Sequence, residues 1–296
     1  MTDALVATRG RATLIGFSAV LMWGALALLT VWSGDVPPFQ LVAMCFAVAF
    51  FGALAKWLAN GENPATHLGY PAPVWLLGVG GLFGYHFFYF MALRNAPPVE
   101  AGLIAYLWPL LIVVFSALLP GERLRWYHLA GALLGLAGTA LLVTGGGTVA
   151  FRSEHALGYA SAGACALTWS GYSVLSRRFG HVKTDTVGWF CGAAAILGFV
   201  AHLAFETTVW PVGPGQWLAI LGLGLGPVGA AFFVWDYGVK HGNIQSLGVS
   251  SYAAPLISTL LLIAFGAGEP GWVVAAACAA VVGGALLASK DVIRTR

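Results

Sequence analysis

Solid apolar runs alternate with short polar or Gly/Pro-rich breaks along the chain, at 12–32, 37–58, 73–93, 98–119, 127–144, 157–178, 184–204, 215–238, 243–265 and 271–289. A helix needs about 20 apolar residues to cross a hydrocarbon core of about 30 Å, so each run is predicted to be one transmembrane helix. The breakers fall between the runs: Gly34 to Pro38, Asn60 to Pro64, Pro97-Pro98, Pro120-Gly121, Gly145 to Gly147, Pro211 to Pro214 and Gly268 to Gly271. A membrane β-barrel would instead show weak alternation over about ten residues per strand. The predicted fold is therefore an all-α integral membrane bundle of ten transmembrane helices. Arg9 and Arg11 before the first run, and Ala25-Leu26-Ala27 within it, resemble a secretory leader. That run is longer than a secretory apolar region and has an internal counterpart, so it is assigned as a helix.

Composition agrees with lipid as the solvent. Charged residues are 8% of the 296, apolar residues 59%, and the mean hydropathy is +0.84, whereas soluble domains carry roughly 25% charged residues. The longest polar stretch, 56–73, is too short to form a separate soluble domain. Cys45, Cys165, Cys191 and Cys278 all lie in apolar runs without metal-ligand spacing and are assigned to packing. The net charge of +3 is sorted by loop, so it signals topology and not nucleic-acid binding. With a cytoplasmic N-terminus, the inner segments hold Arg9, Arg11, Lys56, Arg123, Arg125, Arg177, Arg178, Lys183, Lys240, Lys290, Arg294 and Arg296, and the outer ones only Arg94 and Arg152. The positive-inside rule then puts both termini in the cytoplasm.

The sequence also matches itself at an offset of 146 residues: Trp23 with Trp169, Cys45 with Cys191, Gly52 with Gly198, Arg94 with Lys240, Gly102 with Gly248, Tyr106 with Tyr252, Pro109 with Pro255, Leu110 with Leu256, Gly138 with Gly284 and Leu141 with Leu287. The offset divides the chain into repeats 1–146 and 147–296 within one compact membrane domain. Each copy contains an odd number of helices, so the second enters the membrane inverted. Inverted repeats are a transporter signature, because they supply two similar arrangements, each open to one side, around a midplane site.

Pro109 and Pro255 sit inside the fourth and ninth runs, where each removes a helical hydrogen bond; they are expected to act as hinges beside a transport path. Tyr85, His86 and Tyr89 share one face of the third helix, and their polar tips are expected to point into the bundle. Tyr106 and Trp108 would point about 200° apart in a regular helix, so both can line a cavity only if the helix is distorted near Pro109. Trp169 with Tyr172 and Ser173 offers a further polar and aromatic face, as do Ser251 and Tyr252 before the second proline. Trp32, Trp57, Trp75, Trp126, Trp210, Trp217 and Trp272 lie near run ends and are assigned to the membrane interface. Glu100 is a possible polar or coupling group close to the start of its helix. Asp236, near the end of its own, is expected to reach the interface. No midplane carboxylate stands out, which favours facilitated efflux over proton coupling.

The chain contains no HExxH, GxSxG, P-loop or CxxC motif, so it is not read as an enzyme, and no cofactor or metal is expected. Several stretches resemble the drug/metabolite transporter superfamily, in its EamA-type branch: Leu14-Ile15-Gly16 with Trp23, Glu100-Ala101-Gly102, Tyr106-Leu107-Trp108-Pro109, Trp169 with Tyr172, His241-Gly242-Asn243, and Gly248-Val249-Ser250-Ser251-Tyr252 with Pro255. The resemblance covers almost the whole chain. It implies export of aromatic and other neutral amino acids across a bacterial inner membrane, through a cavity lined by the third, fourth and sixth helices. Ala105 stands where the family pattern carries Asn, and Asp236 where it carries a neutral amide; both bear on cavity polarity. The expected partners are small-molecule substrate and lipid, with no nucleic acid and no obligatory protein partner. Two further readings stay open. Export of cationic drugs would make Glu100 essential, whereas a non-transporting scaffold would let Tyr85, His86 or Trp169 affect folding yield alone.

Overall fold

The computed structural model describes residues 3–266 and 268–290, with side chains from residue 8 onward; Arg294 and Arg296, assigned above to the inner side, lie outside the described residues. Among the described residues, fourteen α-helices build ten segments. The first segment is α1 (Asp3–Gly24) and α2 (Leu26–Trp32), the second α3 (Pro38–Ala59), the third α4 (Ala72–Asn95). The fourth is α5 (Pro98–Ala105) and α6 (Trp108–Phe115), and the fifth α7 (Trp126–Thr144). The second half follows as α8 (Ala156–Leu175), α9 (Val187–Phe205), then α10 (Pro214–Leu225) joined to α11 (Ala231–His241) by one π-turn at Gly226–Ala230. It ends with α12 (Ile244–Ser250), α13 (Ala253–Ala264) and α14 (Trp272–Ala288). Eight of the ten segments are both long and apolar enough to span a bilayer; α14 is apolar but shorter, and α8 is diluted by its polar and small residues.

The connections alternate between two ends of the bundle. At one end Arg9 donates to Glu122 (2.6 Å), Arg177 donates to the Gly242 carbonyl (2.9 Å), and Lys56 pairs with Asp185 (2.5 Å). At the other, the Phe39 and Gln40 N–H groups donate to the Glu206 carboxylate (2.9 and 3.0 Å), Arg94 donates to the Phe205 carbonyl (3.2 Å), and Tyr159 bonds Glu100. These ties fasten both ends of α3 to α9 with opposite chain directions. The second copy is thus inverted relative to the first.

The packing obeys the two-fold that this implies. Along the axis α7 packs on α14 and α3 on α9, while α4 packs on α8 and its repeat-equivalent α11 packs on α1. Close approach needs small side chains. A methyl added to Gly16 would lie 2.8 Å from the Gly238 Cα; the equivalent pair in the other crossing is Ala92 and Ala162, both 0% exposed.

Both proline-bearing segments are broken, at Tyr106–Leu107 and at Ser251–Tyr252. The N–H of Leu110, just past Pro109, donates to the Tyr252 hydroxyl (3.2 Å). Tyr252 is fully buried among Val113, Ala132, Val249 and Val281. Among the tryptophans assigned to the interface, Trp32, Trp126, Trp210, Trp217 and Trp272 are exposed, but Trp57 is 0% exposed. It is corrected to an interior residue, because its ring is covered by His67 and Trp189.

Two outcomes follow for thermal unfolding of the purified protein in detergent. Gly16→Val is expected to lower the transition by overpacking, a cost of about 1–3 kcal/mol, while Gly163→Ala, whose methyl meets open space, leaves it unchanged or raises it. Tyr252→Phe is expected to cost about 1–3 kcal/mol, the penalty of leaving a buried N–H without an acceptor.

Candidate functional site

Four tryptophans meet at the centre of the bundle, two from each half. Trp23 lies on α1, Trp108 on α6, Trp169 on α8 and Trp235 on α11. All six ring pairs are in contact, from 5.0 Å between the Trp23 and Trp235 centroids to 6.3 Å between Trp108 and Trp169. Such spacings, mostly edge-on or tilted, suit the ring quadrupoles. Phe232 packs on Trp23 and Trp169, and Tyr172 stacks on Trp169 (5.2 Å). Two indole N–H groups are engaged by the protein: Trp23 donates to the Pro227 carbonyl (3.1 Å) and Trp235 to the Ser173 hydroxyl (3.0 Å). The π-turn explains the first bond, since Pro227 interrupts the regular ladder there and exposes carbonyls to other donors.

Tyr85 joins this cluster through Trp169 (5.6 Å) and stacks parallel to Tyr89 (6.1 Å, 2°). Tyr106, at the break between α5 and α6, carries the third phenol of the sequence-predicted set. None of the three has a protein hydrogen-bond partner among the described residues, and none is sealed into the interior as a buried orphan. They are free to bond a solute. His86 packs against Phe46 (5.2 Å) and Phe232 (6.1 Å), and its Nδ1 lies 2.7 Å from the Leu82 carbonyl of its own helix. That bond fixes the ring and leaves Nε2 available. Trp108 joins the cluster from the segment broken just before Pro109, whereas Tyr106 makes no ring contact with the tryptophans among the described residues.

The remaining candidates lie elsewhere. Ser251 donates to the Leu247 carbonyl of its own helix (2.8 Å) and Tyr252 serves the α5–α6 break, so neither meets the tryptophans. Glu100 bonds Tyr159 at the end of the bundle that carries Arg94 and Glu206. There it edges a cavity of about 430 Å³ with Val99, Thr148, Arg152 and His155, away from the aromatic cluster. Pro109 and Pro255 each sit just after a break, next to but not within the cluster.

Asp236 is corrected from an interface residue to a buried one, 2% exposed. It pairs with Lys240 (2.8 Å) and accepts from Thr184 (2.8 Å) and Tyr172 (3.3 Å). These donors neutralise and solvate a carboxylate that would otherwise be prohibitive to bury. A cavity of about 20 Å³, enough for one water, lies beside the pair against Gly78 and Tyr172. Through Tyr172 the network touches the tryptophan cluster.

Below the cluster, Glu122 accepts from Arg9 (2.6 Å) and forms an ion pair with Arg177 (3.1 Å), tying the first half to the second. Burial lowers the Arg177 pKa from its usual value, with Glu122 opposing and Arg9 reinforcing that shift.

Sequence reasoning did not place Phe232, Trp235 or Trp23 in the cluster. A signal for the first two existed: the offset of 146 maps His86 onto Phe232 and Tyr89 onto Trp235.

A relative described as an aromatic amino acid exporter from Ancylobacter novellus is 55% identical over 95% of this chain and 98% of its own length. Another so described, from Salmonella typhimurium, is 24% identical over 86% of this chain and 88% of its own. A crystal structure of a protein 56% identical to this one covers 95% of the chain, and 99% of its own, with a TM-score of 0.90. The sequence model of the EamA-like transporter family matches residues 10–144 and again 156–290, one copy in each half. Two copies of one family unit, packed as inverted halves around a shared aromatic centre, make this chain a member of the EamA-like transporter family.

Proposed function

We propose that the chain exports aromatic and other neutral amino acids across a bacterial inner membrane, by alternating access between halves 1–146 and 147–296. The observation that carries this reading is the tryptophan cluster, with Trp23 and Trp108 from one half and Trp169 and Trp235 from the other. Rings at the seam between halves can stack an aromatic side chain, and relative motion of the halves would part them on one side at a time. The free hydroxyls of Tyr85, Tyr89 and Tyr106 and Nε2 of His86 would bond the solute's polar head. Exporters with this description among its relatives support the substrate class.

The end bearing Arg9, Glu122 and Arg177 is cytoplasmic in this reading, and so are both termini. The Arg9–Glu122–Arg177 tie then closes the inner side and opens to admit substrate. Efflux is facilitated, with no obligatory protein partner, because Asp236, the one carboxylate beside the cluster among the described residues, already holds a full set of donors within its own half. The position of Glu100, at the outer end and away from the rings, disfavours the cationic-drug reading. The reading is of a transporter and not an enzyme.

Labelled phenylalanine loaded into proteoliposomes tests this directly. Efflux is expected with or without a pH gradient; Trp169→Ala is expected to slow it about tenfold, equivalent to about 1.4 kcal/mol of binding, in a protein that still folds. Glu100→Gln is expected to leave the rate within about twofold. Efflux that requires the gradient would replace the facilitated mechanism, and none above empty liposomes would remove the substrate assignment. Orientation is checked in cells with a membrane-impermeant thiol reagent: Arg152→Cys is expected to label from outside and Arg11→Cys not.

A further inference from the structure

At the cytoplasmic end of the α3–α9 contact lies a cluster that the transport reading does not use. His67 is 2% exposed, yet both its ring nitrogens are buried without a hydrogen-bond partner. Its ring stacks on Trp57 (4.9 Å, 25°), and Nε2 faces Glu62 Oε2 at 3.6 Å, beyond hydrogen-bonding range. Burying a polar group unpaired is costly, so an imidazole in this state is poised for a ligand. Asp185 completes the group: the ligand atoms of Glu62, His67 and Asp185 all lie within 4.8 Å of one another.

We infer that Glu62, His67 and Asp185 form a binding site for one first-row divalent metal ion of the Zn²⁺ class, bridging the two halves. One imidazole and two carboxylates match the nitrogen and oxygen ligands such ions take, with water in a fourth position. Each carboxylate keeps an oxygen for the task. Glu62 Oε1 accepts from Asn60 (3.2 Å) and Asp185 Oδ1 from Lys56 (2.5 Å), leaving Glu62 Oε2 and Asp185 Oδ2. With Lys56 counted, the two carboxylates leave one uncompensated negative charge.

The surrounding chain is built to hold it. The Glu62 N–H donates to the Trp57 carbonyl (2.8 Å), and Asn63 caps the short 3-10 helix Pro64–His67 by accepting from the Ala65 N–H (3.0 Å). Trp189 of α9 donates to the Pro64 carbonyl (3.0 Å), anchoring this loop to the second half. Metal–ligand distances of about 2.0–2.2 Å require Glu62 and Asp185 to close in by roughly an ångström. Their side chains, 39% and 29% exposed, have room to do so. Because Glu62 and His67 precede α4 while Asp185 precedes α9, the bound ion ties the halves and slows their exchange. That consequence rests on the transport reading; the site itself does not.

Calorimetric titration of the purified protein with ZnCl₂, paired with metal analysis after desalting, tests the site. One Zn²⁺ per chain is expected, with at least tenfold weaker binding in Glu62→Gln and Asp185→Asn, loss in His67→Ala, and tighter binding in Lys56→Gln. Glu62→Gln, at a half-exposed side chain, decides the matter even if His67→Ala fails to fold. Substoichiometric binding, as a protonated His67 simply paired with Glu62 would give, or equal affinity in Glu62→Gln and the parent, overturns the site. Zn²⁺ should also slow efflux in the parent and not in Glu62→Gln; binding without slowing overturns the tie between halves. Absent transport altogether, the isotherm still judges the site.

Discussion

Inside a bilayer a peptide group has no water to fall back on, so a broken helix is tolerated only where the protein supplies the missing partners. Among the described residues four long segments are interrupted, at Ala25, Tyr106–Leu107, Gly226–Ala230 and Ser251–Tyr252, and an aromatic side chain from the opposite half serves two of those breaks. Trp23 of the first half donates to the Pro227 carbonyl of the second. Tyr252 of the second accepts from the Leu110 N–H of the first. Each half therefore stabilises an irregularity in the other, which confines the irregularities to the seam. The aromatic cluster sits at that seam for the same reason: rings large enough to reach across it are needed on both sides.

The repeat symmetry says which contacts can survive an exchange of shape between the halves. Contacts on the axis, α3 with α9 and α7 with α14, map onto themselves, so both states can share them. The off-axis contacts map onto each other, α1 with α11 onto α4 with α8. They are not identical: the first crosses at Gly16 and Gly238, the second at Ala92 and Ala162. Exchanging conformations would ask an alanine crossing to adopt a glycine crossing's spacing. The ties at the end bearing Arg9 and Glu122 are less demanding. Arg9 and Glu122 are only partly buried, and pairs near water are worth about 0.2–1 kcal/mol, small enough to open during a transport cycle.

Much of this architecture was legible in the chain. Apolar run length predicted ten segments, and a constant offset predicted two inverted copies, because both are one-dimensional properties. Which side chains converge was only partly legible. Tyr85, His86 and Trp169 were placed by helical spacing, which holds within an unbroken helix, whereas Trp108 required the distortion before Pro109. Periodicity cannot be carried through Gly226–Ala230, where a π-turn shifts the helical phase, so the face bearing Phe232 and Trp235 was hidden from it. Tyr252 shows the converse failure: it matches Tyr106 in the repeat, yet it packs between α6, α7 and α14, because equivalent residues of a pseudo-symmetric pair need not do equivalent work. Trp57 was misplaced because a tryptophan near a helix end has the same sequence signature whether lipid or the 3-10 turn at Pro64–His67 covers it.

Asp236 shows how tertiary context decides the meaning of a charge. Four residues before Lys240 on one helix, the pair could have extended to water at either interface. Instead both side chains are buried, 3% and 4% exposed. Removing one member of such a pair strands the other at a cost of about 3–5 kcal/mol, so the two stand or fall together. Every partner of Asp236, namely Lys240, Thr184 and Tyr172, belongs to the second half, as does the Val182 carbonyl that accepts from Lys240. The network thus joins α8, α11 and the turn before α9 into one body without crossing the seam. It stiffens that half and, because Tyr172 stacks on Trp169, it sets where that half presents its tryptophan to the other.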